Sequence, residues 1–164
     1  MVRMEFIKTY FTAEKNESLI FMAFDILTIG FSAYSLWKWG KVFYRGFAIP
    51  VILVGLIQLV VGGPVYFRTD KQIQAIEALY QKSSSEFVST ETPRMDTVMK
   101  NFSLHKKVEV AFVVIGLPWI FCAPPKEFWL GVGVAMLLHR ALMLTADIFA
   151  ERRGSEYIAT IKQF

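Results

Sequence analysis

Four apolar runs, separated by polar stretches, set the pattern of the chain. The first covers about 19–37. It is interrupted only by Asp25 and small hydroxyl residues, and it ends in Trp37 and Trp39, the aromatic pair expected at a membrane interface. The second covers about 47–67 and contains Gln58 and the triplet Gly62-Gly63-Pro64. The third, about 104–123, contains Glu109 and Pro118. The fourth, about 128–150, contains His139, Arg140 and Asp147. A helix needs about 20 mostly apolar residues to cross the hydrocarbon core of a bilayer. The pattern predicts an all-α integral membrane protein, a single domain built as a four-transmembrane-helix bundle.

The polar stretches carry helical stripes of their own. Phe6, Ile7, Tyr10 and Phe11 fall at helical spacing within 4–15, predicting an amphipathic helix that lies in the headgroup plane or packs on a partner. Beyond the second run, Ile73, Ile76, Leu79 and Tyr80 continue a helix to about Gln81. The serine- and threonine-rich segment 83–92 reads as a linker. Thr92-Pro93 reads as a helix start, followed by the stripe Met95, Val98, Met99 and Phe102. The expectation is a helical hairpin over about 68–103 whose two stripes pack together. Residues 37–46 read as a short basic loop, and 123–127, with Pro124-Pro125, as a tight turn. Gly62, Gly63 and Pro64 predict a hinge in the second span. Gly154 predicts a break before a final amphipathic helix bearing Tyr157, Ile158, Ile161 and Phe164.

Composition sharpens this picture. Charged residues make up only 20% of the chain, against about a quarter in ordinary soluble domains, and mean hydropathy is +0.41. The net charge of +4 would suggest nucleic acid in a soluble protein. Here most Lys and Arg gather on the side of the termini and the hairpin, with Lys38, Lys41, Arg45 and Lys126 opposite. That bias places both termini and the hairpin in the cytoplasm, and no nucleic acid duplex is expected as a partner. The single cysteine, Cys122, lies in an apolar run and cannot form a disulfide within one chain. No cleavable leader is predicted.

The chemistry lies in the polar residues at membrane depth. Ionisable groups there are costly and are functional candidates by default. Asp25, Gln58, Glu109, His139, Arg140 and Asp147 form the candidate polar or pore cluster. Gln58 and Arg140 sit at matching depth, roughly 14 Å from a cytoplasmic end at 1.5 Å per helical residue. The simplest arrangement pairs Arg140 with Asp25, Glu109 or Asp147 and lets Gln58 satisfy what remains. Such a cluster serves either as a pathway for ions or protons or as a buried ion pair fixing helix register. His105 and His139 lie at different depths, which disfavours a haem between them. No Cys or His cluster has metal spacing, and no catalytic motif stands out, so neither a cofactor nor an enzyme is expected. Arg68, Lys71, Arg152 and Arg153, just past the ends of the second and fourth spans, are candidates for anionic lipid or an anionic cytoplasmic ligand.

The two halves also resemble each other at a shift of about half the chain, with Trp37 on Trp119, Phe47 on Trp129, Phe67 on Phe149, Ile76 on Ile158, and Gln58 on Arg140. This predicts a parallel repeat about an axis along the membrane normal. The segments Tyr10-Phe11-Thr12-Ala13-Glu14-Lys15-Asn16-Glu17-Ser18, Leu56-Ile57-Gln58-Leu59-Val60-Val61-Gly62, Pro93-Arg94-Met95-Asp96-Thr97-Val98-Met99-Lys100-Asn101-Phe102 and Thr145-Ala146-Asp147-Ile148-Phe149-Ala150-Glu151-Arg152-Arg153-Gly154 resemble a group of small four-span bacterial membrane proteins with no assigned activity. The resemblance implies a multi-pass protein of the bacterial inner membrane. Within that frame the first expectation is a homo-oligomeric ion channel, gated from the cytoplasmic side, with the pathway between subunits. The alternative is a non-catalytic accessory or immunity-type protein that binds another membrane protein through the hairpin. A weaker third reading is a lipid- or quinone-binding carrier.

Overall fold

The computed structural model describes residues 2–122 and 127–163, without the side chains of residues 2–4, Trp119 and Cys122. The Pro124-Pro125 turn, Lys126, Phe164 and the Trp37–Trp119 match lie outside the described residues. The described chain is four helices: α1 (Val2–Lys38), α2 (Val42–Lys82), α3 (Ser84–Cys122) and α4 (Glu127–Ile161). Three of them, α1, α2 and α4, are long and apolar enough to cross a membrane. In α3 the corresponding stretch is interrupted near its start by Lys106, Lys107 and Glu109.

The helices are longer than the hydrophobic pattern alone indicates, because the amphipathic segments are continuous with the apolar ones. The N-terminal segment stands upright as the first turns of α1 and does not form a separate helix. The predicted 83–92 linker and the Thr92-Pro93 helix start are both corrected. Only Ser83 separates α2 from α3, and Pro93 lies inside α3. Ser83 does this in one residue by accepting a hydrogen bond from the Glu86 amide at 3.2 Å, while its own amide bonds to the Leu79 carbonyl at 3.0 Å. Ser83-x-x-Glu86 has the spacing of a capping box. The basic loop shrinks likewise to 39–41, where Gly40, at φ +56, takes the left-handed conformation that ends α1.

Two predicted breaks are helical. α2 runs unbroken through Gly62, Gly63 and Pro64, so the hinge is not a break in the helix. α4 runs through Gly154 to Ile161. Gly154 is there for space, since a Cβ at that position would lie 2.8 Å from the Met99 sulfur.

The main core lies at the end of the molecule that holds both termini and Ser83, here the proximal end. Ile7, Tyr10 and Phe11 from α1, Ile76 from α2, Phe87 and Met95 from α3, and Tyr157 and Ile161 from α4 form one buried cluster. The stripes at 73–80 and 95–102 therefore do not pack only on each other. They share a four-helix core with the two terminal segments. Tyr157 is its centre, fully buried, stacked on Tyr10 at 4.2 Å and edge-on to Phe11 at 5.8 Å, with its hydroxyl donating to Glu91 at 3.1 Å. Toward the distal end, where Gly40 lies, the helices are covered outside by large apolar side chains such as Leu27, Val60 and Phe121, which are 71%, 73% and 81% exposed. Replacing Tyr157 by Ala is expected to cost about 3–5 kcal/mol, and replacing Leu27 by Ala under about 1 kcal/mol. Denaturant titration in mixed micelles measures both.

Candidate functional site

The site is built on the seam between α1 and α2. On α1 the buried residues Phe11, Ser18, Asp25 and Ser32 recur every seventh position, and on α2 so do Ala48, Gly55, Thr69 and Ile76, with the half-buried Gly62 in the same register. A seven-residue period keeps one face of each helix on its partner in a left-handed coil. The small residues of α2 let the backbones approach closely. The register is fixed by two contacts. Ser18 Oγ donates to the Gly62 carbonyl at 2.7 Å, and a Cβ on Gly55 would meet Ile29 at 3.0 Å and Asp25 Oδ1 at 3.7 Å. Outside the seam, Lys15–Asp70 at 2.6 Å and Lys8–Glu77 at 2.9 Å follow one common register.

This seam carries Asp25 into a fully buried position among apolar helices. A carboxyl group there needs hydrogen-bond partners. Gln58, one turn along α2 from Gly55, supplies one in the carboxamide orientation that satisfies both of its ends: its nitrogen, turned toward α1 rather than toward the Met143 sulfur, donates to Asp25 Oδ1 at 2.8 Å. The same nitrogen lies 3.0 Å from His139 Nε2 on α4. Three helices thus meet at Asp25, Gln58 and His139. His139 reaches the junction because α4 presents small residues to α2 beneath it. At the distal end Gly46 and Gly131 bring the two backbones into direct contact. A Cβ on Gly131 would lie 2.8 Å from the Phe47 amide nitrogen, and one on Gly46 would collide with the Phe128 carbonyl. Gly131, Ala135 and His139 form one buried face at four-residue spacing.

Two cavities flank the junction. The larger, about 430 Å³, lies on its proximal side and touches all four helices. Its inner wall includes Gln58, Phe21, Val65 and Met143, and its outer part carries Glu14, Glu17, Arg68, Arg94 and Arg153 together with Asp147. The smaller, about 170 Å³, lies between α1, α2 and α4, and His139, Ser32 and Thr28 are its polar lining. Gln58 faces the first cavity and His139 the second, with Asp25 between them. Ser32, at 1% exposed, has no partner for its hydroxyl among the described residues.

Half of the charged side chains lining the larger cavity are in ion pairs. Arg153 pairs with Glu17, joining α4 to α1. Arg94 grips Glu91 with two bonds of 2.8 and 2.6 Å and lies over the Phe11 ring at 5.3 Å. Tyr10 donates to Glu14 at 2.5 Å. Burial raises the Glu14 carboxyl above its ordinary 4.5, partly offset by the Tyr10 hydrogen bond and by Arg94, Arg153 and Arg68. Burial raises Glu17 likewise, against the Arg153 ion pair. Burial first, and the neighbouring carboxylates second, push the Tyr10 and Tyr157 hydroxyls well above the usual tyrosine range.

The predicted polar cluster divides. Asp25, Gln58 and His139 come together. Asp147 lines the larger cavity, near Lys106, which pairs with Glu151. Arg140 does not pair with Asp25, Glu109 or Asp147: among the described residues it makes no ion pair, and it lies over the Phe112 ring at 4.6 Å. The reason is rotational. His139 faces α2, so Arg140, the next residue, is turned toward α3. Gln58 and Arg140, equivalent under the predicted repeat, accordingly have different surroundings. Glu109 is buried, with Oε2 unpartnered. Of the four basic candidates, Arg68 and Arg153 line the larger cavity, Arg152 pairs with Glu156 on the surface at 3.2 Å, and Lys71 is exposed. Glu14, Glu17, Arg94 and Ser32 were not singled out from sequence. The seven-residue spacing of Ser18, Asp25 and Ser32 was the available signal for the seam. Among the described residues, no group of three metal-ligating side chains occurs.

No protein-family model, curated protein or solved structure matches the chain.

The raised carboxyls fix a pH dependence. A carboxyl whose folded value lies above its unfolded one contributes stability that is complete below about 4.5 and is lost as pH rises through the folded value. Glu14→Gln is therefore expected to raise the thermal midpoint at pH 7 and to leave it unchanged at pH 4. Differential scanning at the two pH values checks this.

Proposed function

We propose that the protein spans a bacterial inner membrane four times and carries protons across it through the junction of Asp25, Gln58 and His139. The membrane reading is supported by the length and apolarity of α1, α2 and α4 and by the large exposed apolar side chains around their middle segments. α3 completes the set, because its apolar segment from Val108 onward runs beside α4. The Lys and Arg bias puts the proximal end, with both termini and the Ser83 turn of the α2–α3 hairpin, in the cytoplasm.

One observation carries the functional reading: two titratable side chains joined through a carboxamide, with a cavity on each side. Packed side chains separate the cavities, and Asp25 between them is fully buried. A hydrated metal ion has no lumen to follow there. A proton needs none, because it moves by transfer between titratable groups and water, the usual role of acidic and histidine side chains within membrane spans. In this scheme water entering from the cavities brings the proton to Asp25 and His139 and carries it between them, each group taking it up and releasing it in turn. Gln58 has none to give, and it holds the two at a fixed separation while facing the cytoplasmic cavity. Ser32 and Thr28 continue the polar lining toward the far side.

The path lies within one chain and needs no second copy, unlike a pore between subunits. An accessory role through residues 68–103 would have to use residues other than Ile76, Phe87 and Met95, which lie in the internal core. Proton flux into liposomes holding a pH-sensitive dye tests the proposal. The unaltered protein should conduct, Asp25→Asn should reduce flux at least tenfold, and Leu27→Ala should leave it unchanged. Absence of flux under an imposed potential in either direction overturns the proposal.

A further inference from the structure

We infer that the larger cavity is a binding site for a single-chain amphiphile with an anionic head, drawn from the surrounding bilayer. Its volume of about 430 Å³ falls within the roughly 300–1,000 Å³ usual for small-molecule sites. Its inner wall suits an alkyl chain, being apolar except for Gln58 and for Ser18, whose hydroxyl donates to the Gly62 carbonyl. Its outer rim is charged, which suits a polar head. Ile57 and Val61 line it yet are 63% and 61% exposed, so it opens sideways at the level of the apolar belt as well as toward the charged end. A ligand that reaches it through this side comes from the lipid phase.

The sign of the head follows from the charges already satisfied. Glu17 pairs with Arg153, Arg94 with Glu91, and Glu14 accepts from Tyr10. Asp147 lies near Lys106, which itself pairs with Glu151. The carboxyl that feels the charge of Arg68 is Glu14, which also accepts from Tyr10. Of the three lining arginines, Arg68 is the one that makes no ion pair among the described residues. A head bearing a phosphate or carboxylate supplies its counter-charge, and a guanidinium takes either through two parallel hydrogen bonds. From Gln58 to Arg68, α2 rises about 15 Å, close to the length of an extended twelve-carbon chain. Binding stands on the cavity alone. Its consequence, that an occupied cavity closes the water route to Gln58, rests on the proton pathway proposed above.

The test is photolabelling in phosphatidylcholine nanodiscs with dodecyl phosphate carrying a diazirine at the chain terminus, read by mass spectrometry. Saturable labelling near Phe21, Ile57 or Met143 is expected. Unlabelled dodecyl phosphate or dodecanoate should displace the probe at least tenfold better than dodecanol, and the stronger of the two identifies the head. Arg68→Gln should abolish that tenfold preference. Arg68 is exposed, and an unchanged thermal midpoint shows that the variant is folded. Labelling spread over outward positions such as Leu27 and Phe121, equal displacement by dodecanol, or an unaltered preference in Arg68→Gln overturns the inference. Because binding is read directly, its failure leaves the proton pathway standing, and a protein that conducts no protons can still bind the probe.

Discussion

The close approach of α1 and α2 is the constraint on which the rest depends. Ala48, Gly55 and Gly62 on α2 offer almost no side chain to the seam, so the helices come near enough for Ser18 to bond the Gly62 carbonyl and for Asp25 to lie fully buried. A bulkier residue at Gly55 would crowd Ile29, 3.0 Å from where its Cβ would stand, and press the seam apart at the level of Asp25. The same seam fixes the height of Asp25 and the rotation of Gln58, and so decides which group on α4 can complete the junction.

The second determinant is the change in side-chain size along the helices. At the distal end Gly46 and Gly131 set α2 and α4 backbone to backbone. At the proximal end the same helices carry Ile76 and Tyr157, and α1 and α3 add Phe11, Phe87 and Met95. Large side chains hold the helices apart where small ones let them touch. The larger cavity occupies the space between these regions, above Gln58 and below the aromatic core. Its charged lining is tied across the gap by Glu17 and Arg153 and by the Glu91, Arg94 and Tyr157 cluster. The core and the cavity are therefore products of one packing gradient.

Much of the fold was legible because apolar length and helical periodicity are local signals. The helical segments, the polar positions Asp25, Gln58 and His139, and the stripes at 73–80 and 95–102 could all be read directly. What was misread depended on partners. The serine-rich stretch around Ser83 looked like a linker, although Ser83-x-x-Glu86 is a helix-start signal that needs no linker. Gly154 looked like a breaker, whereas its position is dictated by the Met99 sulfur on another helix. Arg140 drew attention by its charge, yet helix rotation decides contacts, and its neighbour His139 faces the seam. The heptad of small residues on α2 was readable but hidden within a uniformly apolar run.

The most direct test of the account is the titration of His139, followed by its ring nitrogens in selectively labelled protein by magnetic-resonance spectroscopy in a bilayer. If Asp25, Gln58 and His139 form one proton-exchanging unit, replacing Asp25 by Asn shifts the midpoint of the His139 titration while the helical signals stay in place. A His139 titration that is identical with and without the Asp25 carboxyl would contradict the account.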